Sequence, residues 1–368
     1  MKRIVFLDYI RIFACFLVIL VHASEQYYGV VGDSALVGPQ SFLANETDRL
    51  WVSLYDGFSR MSVPLFIIVS AFLLAPMAEG QSAWDFYKRR CRRILPPFIS
   101  FMVLYSLLPL VWGGTSVEMA TTDMQRLLLN FPSMAGHFWF MYPLIGLYLF
   151  IPVISPWLRT VSAREERFFI ALFLLSTCIP YLNRWFGEVW GQCFWNEYHM
   201  LWNFSGYIGY LVVAHYVRVH LNWSRSRRFW VGLSAMLVGA VITIYSFYVQ
   251  AIPGVTHSTP IIELGWAFCT PNCVLLTVGA FLLFGCIEQQ KAPAVVNDMS
   301  RMSFGIYLVH LFWIGLWVSL FKEQMALHTA IAIPAIAIPA IAIATFLTSY
   351  LSVKIISYIP GGRWVVGC

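Results

Sequence analysis

Long apolar runs broken by short polar connections set the pattern of this chain. Ten stretches read as membrane-crossing helices, which take roughly 20 mainly apolar residues each. Their approximate limits are 5–27, 53–76, 94–113, 136–156, 168–182, 203–218, 229–249, 265–287, 303–321 and 330–352. The pattern therefore predicts an all-α, polytopic integral membrane protein. It forms one transmembrane domain over residues 1–368, with no separate soluble domain. The first stretch carries Asp8, Arg11 and His22 and lacks a small-residue cleavage site, so it reads as a retained span and not a signal peptide. The repeat AIAIPAIAIPAIAIAT, from Ala330 to Thr345, predicts a spanning helix kinked at Pro334 and Pro339, since neighbouring helices can cover the carbonyls that proline frees.

Composition sharpens this reading. Of the 368 residues, 59% are hydrophobic and 11% charged, and the mean hydropathy is +0.70. A soluble domain carries about 25% charged residues, so a single soluble core, a disordered tail and a collagen-like fibre are excluded. The net charge of +6 sits in short clusters beside apolar runs. No basic face exists for nucleic acid to follow. The clusters report orientation instead: 18 of the 24 Lys and Arg fall on the side holding the N-terminus, and four (Arg49, Arg126, Arg184, Lys322) fall opposite. By the positive-inside rule both termini are expected in the cytoplasm, which requires an even number of spans.

The eight cysteines include no CxxC pair. Cys269 and Cys273 lie four apart without a His or acidic companion at ligand spacing, so no metal site is expected. Loop aromatics (Trp185, Trp190, Phe194, Trp195, Tyr198, Trp202) read as interfacial anchors, with sugar stacking as a second role. Membrane lipids are the expected surroundings, and apolar faces that meet lipid share their composition with faces that meet another copy.

Ionisable residues inside a membrane are costly and point to function. At ~100° per residue, Asp8, Arg11, Cys15, Val18 and His22 fall in one stripe of the first span. Arg11 and His22 are separated by roughly 16 Å along the axis at ~1.5 Å per residue. Asp8 is placed to pair with Arg11, and Glu25 lies one turn above His22. One reading is that these groups satisfy one another and hold helices together. The other is a catalytic histidine approached from outside, with a deeper arginine holding an anionic or carbonyl group. Histidine suits a general base for a hydroxyl, and arginine suits phosphates through its planar fork.

These residues bring a family into view. Leu7-Asp8-Tyr9-Ile10-Arg11, followed by ten residues and His22, resembles the Arg/Lys-x10-His signature of the membrane-bound acyltransferase-3 family. Ser62-Val63-Pro64-Leu65-Phe66-Ile67-Ile68-Val69-Ser70-Ala71-Phe72-Leu73-Leu74 is similar to its "P-x-F-F-x-x-S-G-F-L" segment, with Ala71 where glycine is usual. The stretch from Tyr87 to Pro97 resembles its basic run before the third span. His137-Phe138-Trp139-Phe140-Met141-Tyr142 and Ser303-Phe304-Gly305-Ile306-Tyr307-Leu308-Val309-His310 resemble two further segments. Five motifs stand in the family's order over nearly the whole chain, and the nearest branch is the single-domain O-acetyltransferases of bacterial surface polysaccharides.

The resemblance implies transfer of an acyl group, usually acetyl from acetyl-CoA, to a hydroxyl of a surface-polysaccharide or lipid-linked glycan at the bacterial inner membrane. Acetyl-CoA enters as substrate, and no bound cofactor is expected. His22 is then the expected general base, with Asp8 and Arg11 positioning the donor arm. Lys88, Arg89, Arg90, Arg92 and Arg93 are expected to meet the phosphates of coenzyme A, although a topology anchor would need the same charges. His137, Trp139, Tyr142, Tyr307 and His310 are the acceptor or oxyanion candidates. Two other classes compete with this one. A glycan exporter would suit ten spans, but carriers often show internal repeats and the two halves share no convincing self-similarity. A structural subunit would leave the Asp8, Arg11, His22 stripe unexplained.

Overall fold

A computed structural model of the 368-residue chain describes residues 3–28, 30–31, 35–36, 46–127, 129–191, 197–252, 259–326 and 329–368. Phe194 and Trp195 lie outside them. The helices in chain order are α1 (Val5–Ser24), α2 (Glu46–Ser59), α3 (Ser62–Leu74), α4 (Ala83–Leu107), α5 (Val117–Gln125), α6 (Met141–Thr160), α7 (Ala163–Thr177), α8 (Ile179–Phe186), α9 (Tyr207–Val219), α10 (Arg225–Gln250), α11 (Thr259–Ile262), α12 (Pro271–Phe284), α13 (Ala294–Ala326), α14 (Pro334–Tyr358) and α15 (Gly362–Val366). Val30–Val31 and Ala35–Leu36 form a two-residue antiparallel ladder.

Each of the ten predicted stretches is helical. Among the described residues nine helical segments are long and apolar enough to cross a membrane, and the protein is an all-α polytopic membrane protein. The one remaining stretch, 203–218, the sixth in order, falls short. Its helix α9 has 13 residues, about 20 Å at 1.5 Å per residue, against a hydrocarbon core of about 30 Å. Gly206, at φ 74°, cuts α9 from the 3-10 turn before it. The second predicted span is one path in two pieces, with α2 and α3 interrupted at Arg60–Met61. The alanine-isoleucine repeat also differs from expectation. Pro334 opens α14 at its first turn, where a missing N–H costs nothing, and Pro339 alone lies inside the helix.

Local signals explain several boundaries. Ser82 caps α4 by accepting from the Asp85 N–H, and Ser162 with Glu165 forms a reciprocal capping box on α7. Packing is closest between α10 and α12. A Cβ on Gly239 would stand 2.4 Å from the Leu276 nitrogen, and one on Gly279 2.3 Å from the Met236 nitrogen. Small residues let the two backbones touch, the usual source of cohesion between helices in lipid. Helix α1 packs against α2, α3, α12, α13 and α14. Its polar stripe is thereby enclosed by protein.

Candidate active site

A cavity of about 580 Å³ opens where α1, α3, α4, α6 and α13 converge. Arg3, Arg11, Arg90, Arg93 and Arg301 line it against a single carboxylate, Asp8, so it favours an anion. Asp8 is 2% exposed and is fully occupied. It accepts from Arg3 Nε at 2.6 Å, Arg11 Nη1 at 3.4 Å and Ser300 Oγ at 2.7 Å. The expected Asp8–Arg11 pair is present, and Ser300 ties it to α13. Asp8 thus holds two guanidiniums in place and joins two helices. Ser70 and Tyr148 also face the cavity, with the Tyr148 hydroxyl 3.4 Å from Ser70 Oγ. Tyrosine, not histidine, is the partner that the fold gives Ser70. Cys15 is buried, with Sγ 3.5 Å from the Ser303 carbonyl, as a small packing residue would be.

Tyr307 closes the far end. Its ring lines the cavity and packs beyond it on His137 and His310, with centroids 5.5 and 5.9 Å away. Behind it stand three histidines from three separate helical segments. The His22 and His310 rings stack at 5.3 Å, His137 and His310 meet at 4.8 Å, and His22 and His137 at 6.5 Å. His22 does not line the cavity. His137, an acceptor or oxyanion candidate from the sequence, joins this cluster.

Hydrogen bonds fix the imidazole protons. His22 Nδ1 donates to Glu25 Oε2 at 2.6 Å, leaving Nε2 as the basic nitrogen. His310 Nδ1 donates to the Tyr307 carbonyl at 2.6 Å, and His137 Nε2 donates, over a longer 3.4 Å, to the Leu308 carbonyl. The remaining nitrogens, His310 Nε2 and His137 Nδ1, are buried with no hydrogen-bond partner among the described residues. In neutral rings both are acceptors, suited to receive a hydroxyl proton and unsuited to donate to an oxyanion. The Tyr307 hydroxyl is committed as well, donating to the His137 carbonyl at 2.6 Å. Beyond the end of α1, burial raises the Glu25 carboxyl, but the His22 charge and hydrogen bond and the Arg60 guanidinium outweigh it, holding Glu25 below the ordinary carboxylate range.

A second polar network lies nearby and has no counterpart in the sequence reading. Arg60 Nε pairs with Asp56 Oδ1 at 2.7 Å, one turn apart on α2 and its end. Tyr28 donates to Asp56 Oδ2 at 2.7 Å and accepts from Arg60 Nη2 at 3.0 Å, and the guanidinium lies 4.4 Å over the Trp266 ring. Burial, reinforced by Asp56, pushes the Tyr28 hydroxyl well above the usual phenol range, so it stays a donor. Asp56 and Arg60 are 0% and 7% exposed. The acid-x3-base spacing in an apolar stretch was the available signal.

The basic run divides by helical face. Arg90 and Arg93 enter the cavity, while Lys88, Arg89 and Arg92 are exposed outside it. Trp139 stacks on Phe268 at 5.7 Å, and the rings touching Tyr142 are Phe98 and Phe131. Neither joins the histidines. Asn272 bonds Thr243, Gly265 and Tyr181, a helix-joining role. A separate buried carboxylate, Glu166, sits between His215 at 2.8 Å and His220 at 3.2 Å. Among the described residues no group of three His, Cys, Asp or Glu side chains is arranged to hold a metal ion.

Comparison with known families decides what this arrangement belongs to. Residues 4–354 match the acyltransferase domain of the acyltransferase-3 family. The chain belongs to that family. No match was found among curated proteins or among solved structures. The match spans all of α1 to α13 and most of α14, so the histidine cluster and every residue of the cavity except Arg3 lie inside the acyltransferase domain. It ends before α15. This membrane acyltransferase thus carries an arginine-lined cavity at one end of α1 and a histidine cluster beside a carboxylate at the other.

Proposed function

We propose that this acyltransferase moves an acetyl or other short acyl group from cytoplasmic acetyl-CoA to a hydroxyl of a surface-polysaccharide or lipid-linked glycan. The observation carrying the reading is the junction at Tyr307, where a five-arginine cavity abuts three histidines. The arginines suit the donor's phosphates. Arg11 and Arg93 face the donor, and Asp8 positions Arg11. The histidines suit the acceptor sugar, with His22 taking the reacting hydroxyl's proton and His137 and His310 offering lone pairs to neighbouring hydroxyls.

The chemistry follows the tautomers. His22 Nε2 takes the proton as the hydroxyl oxygen attacks the thioester carbonyl carbon. Glu25 stabilises the imidazolium through Nδ1, as a carboxylate does in acyl-transfer triads. Collapse of the tetrahedral intermediate breaks the carbon–sulfur bond, and the proton on Nε2 passes to the departing thiolate. The products are acetylated glycan and free CoA, with His22 neutral again.

Calorimetric titration of acetyl-CoA into the purified, detergent-solubilised protein tests the donor half. Binding is expected in the wild type and is expected to weaken, in a salt-sensitive way, in Arg11→Ala and in the Arg90→Gln, Arg93→Gln double variant. A folded wild-type protein that binds no acetyl-CoA would sink the proposal.

A further inference from the structure

Residues 363–368, which lie beyond the family match, meet α4 at a second arginine-rich cavity. The acyltransferase domain ends at residue 354, and α15 with the residues after it forms a tight hook beyond. The hook is docked firmly: Val366 is fully buried. Gly367, at φ +70°, lies so close to α13 and α4 that a Cβ there would meet Phe304 at 2.6 Å and Pro97 at 3.1 Å. Phe304 also lines the arginine cavity, so the hook supports that cavity's wall.

Between the hook and α4 lies an open cavity, again of about 580 Å³, lined by Arg89, Arg92, Arg93, Arg363 and Trp364 among others. No Asp or Glu side chain lines it, although Cys368 with its backbone carboxyl group does, and among the described residues none of these four arginines is in an ion pair. Four guanidiniums gathered against at most one carboxylate, and ion-paired with none, repel one another, and an anion with several phosphates would relieve this through charge-assisted hydrogen bonds. Trp364 is 63% exposed beside them, a flat face where an aromatic ring can stack. Arg93 lines both cavities, so a ligand seated here has its continuation in the arginine cavity that leads to Tyr307.

We propose that this C-terminal hook seats the nucleotide end of the donor, with Arg89, Arg92 and Arg363 on the phosphates and Trp364 against the adenine, while the acyl-bearing arm enters the inner cavity past Arg93. The inference rests on the acetyl-CoA reading above. A phosphate of an anionic lipid headgroup presents the same chemistry to the arginines, but it has no aromatic base for Trp364 and no arm to pass Arg93.

The test uses the full chain in detergent free of anionic lipid. Adenosine 3′,5′-bisphosphate, CoA and pantetheine are titrated into the wild type, Trp364→Ala and Arg363→Gln. Both substituted side chains are exposed, and thermal unfolding checks the fold. Each variant is expected to lose tenfold or more in affinity for the bisphosphate and for CoA, with pantetheine binding as in the wild type. Wild-type affinity for the bisphosphate in both variants would overturn the hook while leaving the acetyl-CoA reading standing. If the wild type binds no CoA, the parent reading fails and the hook falls with it. A parallel titration in nanodiscs with and without phosphatidylglycerol separates the sources. Loss of lipid binding alone in the variants would assign the arginines to headgroups and refute the nucleotide seat.

Discussion

Glu25→Gln isolates the orienting role of the carboxylate, because the amide keeps the shape and a hydrogen-bonding oxygen but removes the charge facing His22 Nδ1 at 2.6 Å. Hydrogen bonds to charged groups contribute about 1.5–3 kcal/mol. The Glu25 side chain is 36% exposed, so water takes up part of the loss, and the low end of about 1.5 kcal/mol applies. At about 1.4 kcal/mol per factor of ten, acyl transfer should slow roughly tenfold. His22→Ala removes the base itself and should slow it by about 10²–10⁴. The assay is single-turnover transfer of labelled acetyl from acetyl-CoA to membrane glycan in inverted vesicles, with donor binding measured alongside. Neither variant should change donor affinity, since both side chains lie outside the arginine cavity. Wild-type transfer by Glu25→Gln, or loss of donor binding in either variant, would refute the division of labour along α1.

Two further outcomes follow from the buried charges. Asp8→Asn should weaken acetyl-CoA binding several-fold, because Arg3 and Arg11 lose their counter-charge while the Ser300 bond survives; calorimetry reads this, and unchanged affinity would remove Asp8 from the positioning role. Arg60→Gln should destabilise the protein by about 3–5 kcal/mol by leaving Asp56 charged and unpaired at 0% exposure, and the Asp56→Asn, Arg60→Gln double variant should recover most of that loss of thermal stability.

The position and order of nine of the ten expected spans were legible because hydropathy over some 20 residues is a local property, whereas the short helix within 203–218 was over-read as a span. The same holds for Asp8 with Arg11 and for His22 with Glu25, which lie one turn apart on a single helix or its end. What could not be read were meetings between segments. His137 and His310 lie 173 residues apart, and neither the motif around His137 nor the one around His310 says that the two rings touch. Ser300 reaching Asp8 spans 292 residues. Arg90 and Arg93 are divided from Lys88 and Arg92 only by helix facing, and that requires knowing where α4 packs. The break at Arg60 escaped notice because Pro64 and the residues after it continue the apolar run, so the hydropathy of 53–76 looks uninterrupted.

Placing the arginines and the histidines at opposite ends of one helix has a chemical consequence that Tyr307 makes testable. The thioester is prone to hydrolysis if water reaches it beside a general base, and excluding water prevents that side reaction. Tyr307 is buried, lines the donor cavity on one side and packs on the histidines on the other. On the proposed function, its ring would separate the donor from the base until the acyl arm displaces it. Its hydroxyl only anchors it, through the bond to the His137 carbonyl, which contributes about 1 kcal/mol. Tyr307→Phe should keep transfer within about tenfold of wild type, because the ring remains. Tyr307→Ala should join the two compartments and shift the balance from glycan acetylation to acetyl-CoA hydrolysis, read as free acetate released per acetyl transferred. If Tyr307→Ala raises no hydrolysis while donor binding and folding persist, the ring does not separate the compartments, and the donor arm must reach His22 by a path that does not pass Tyr307.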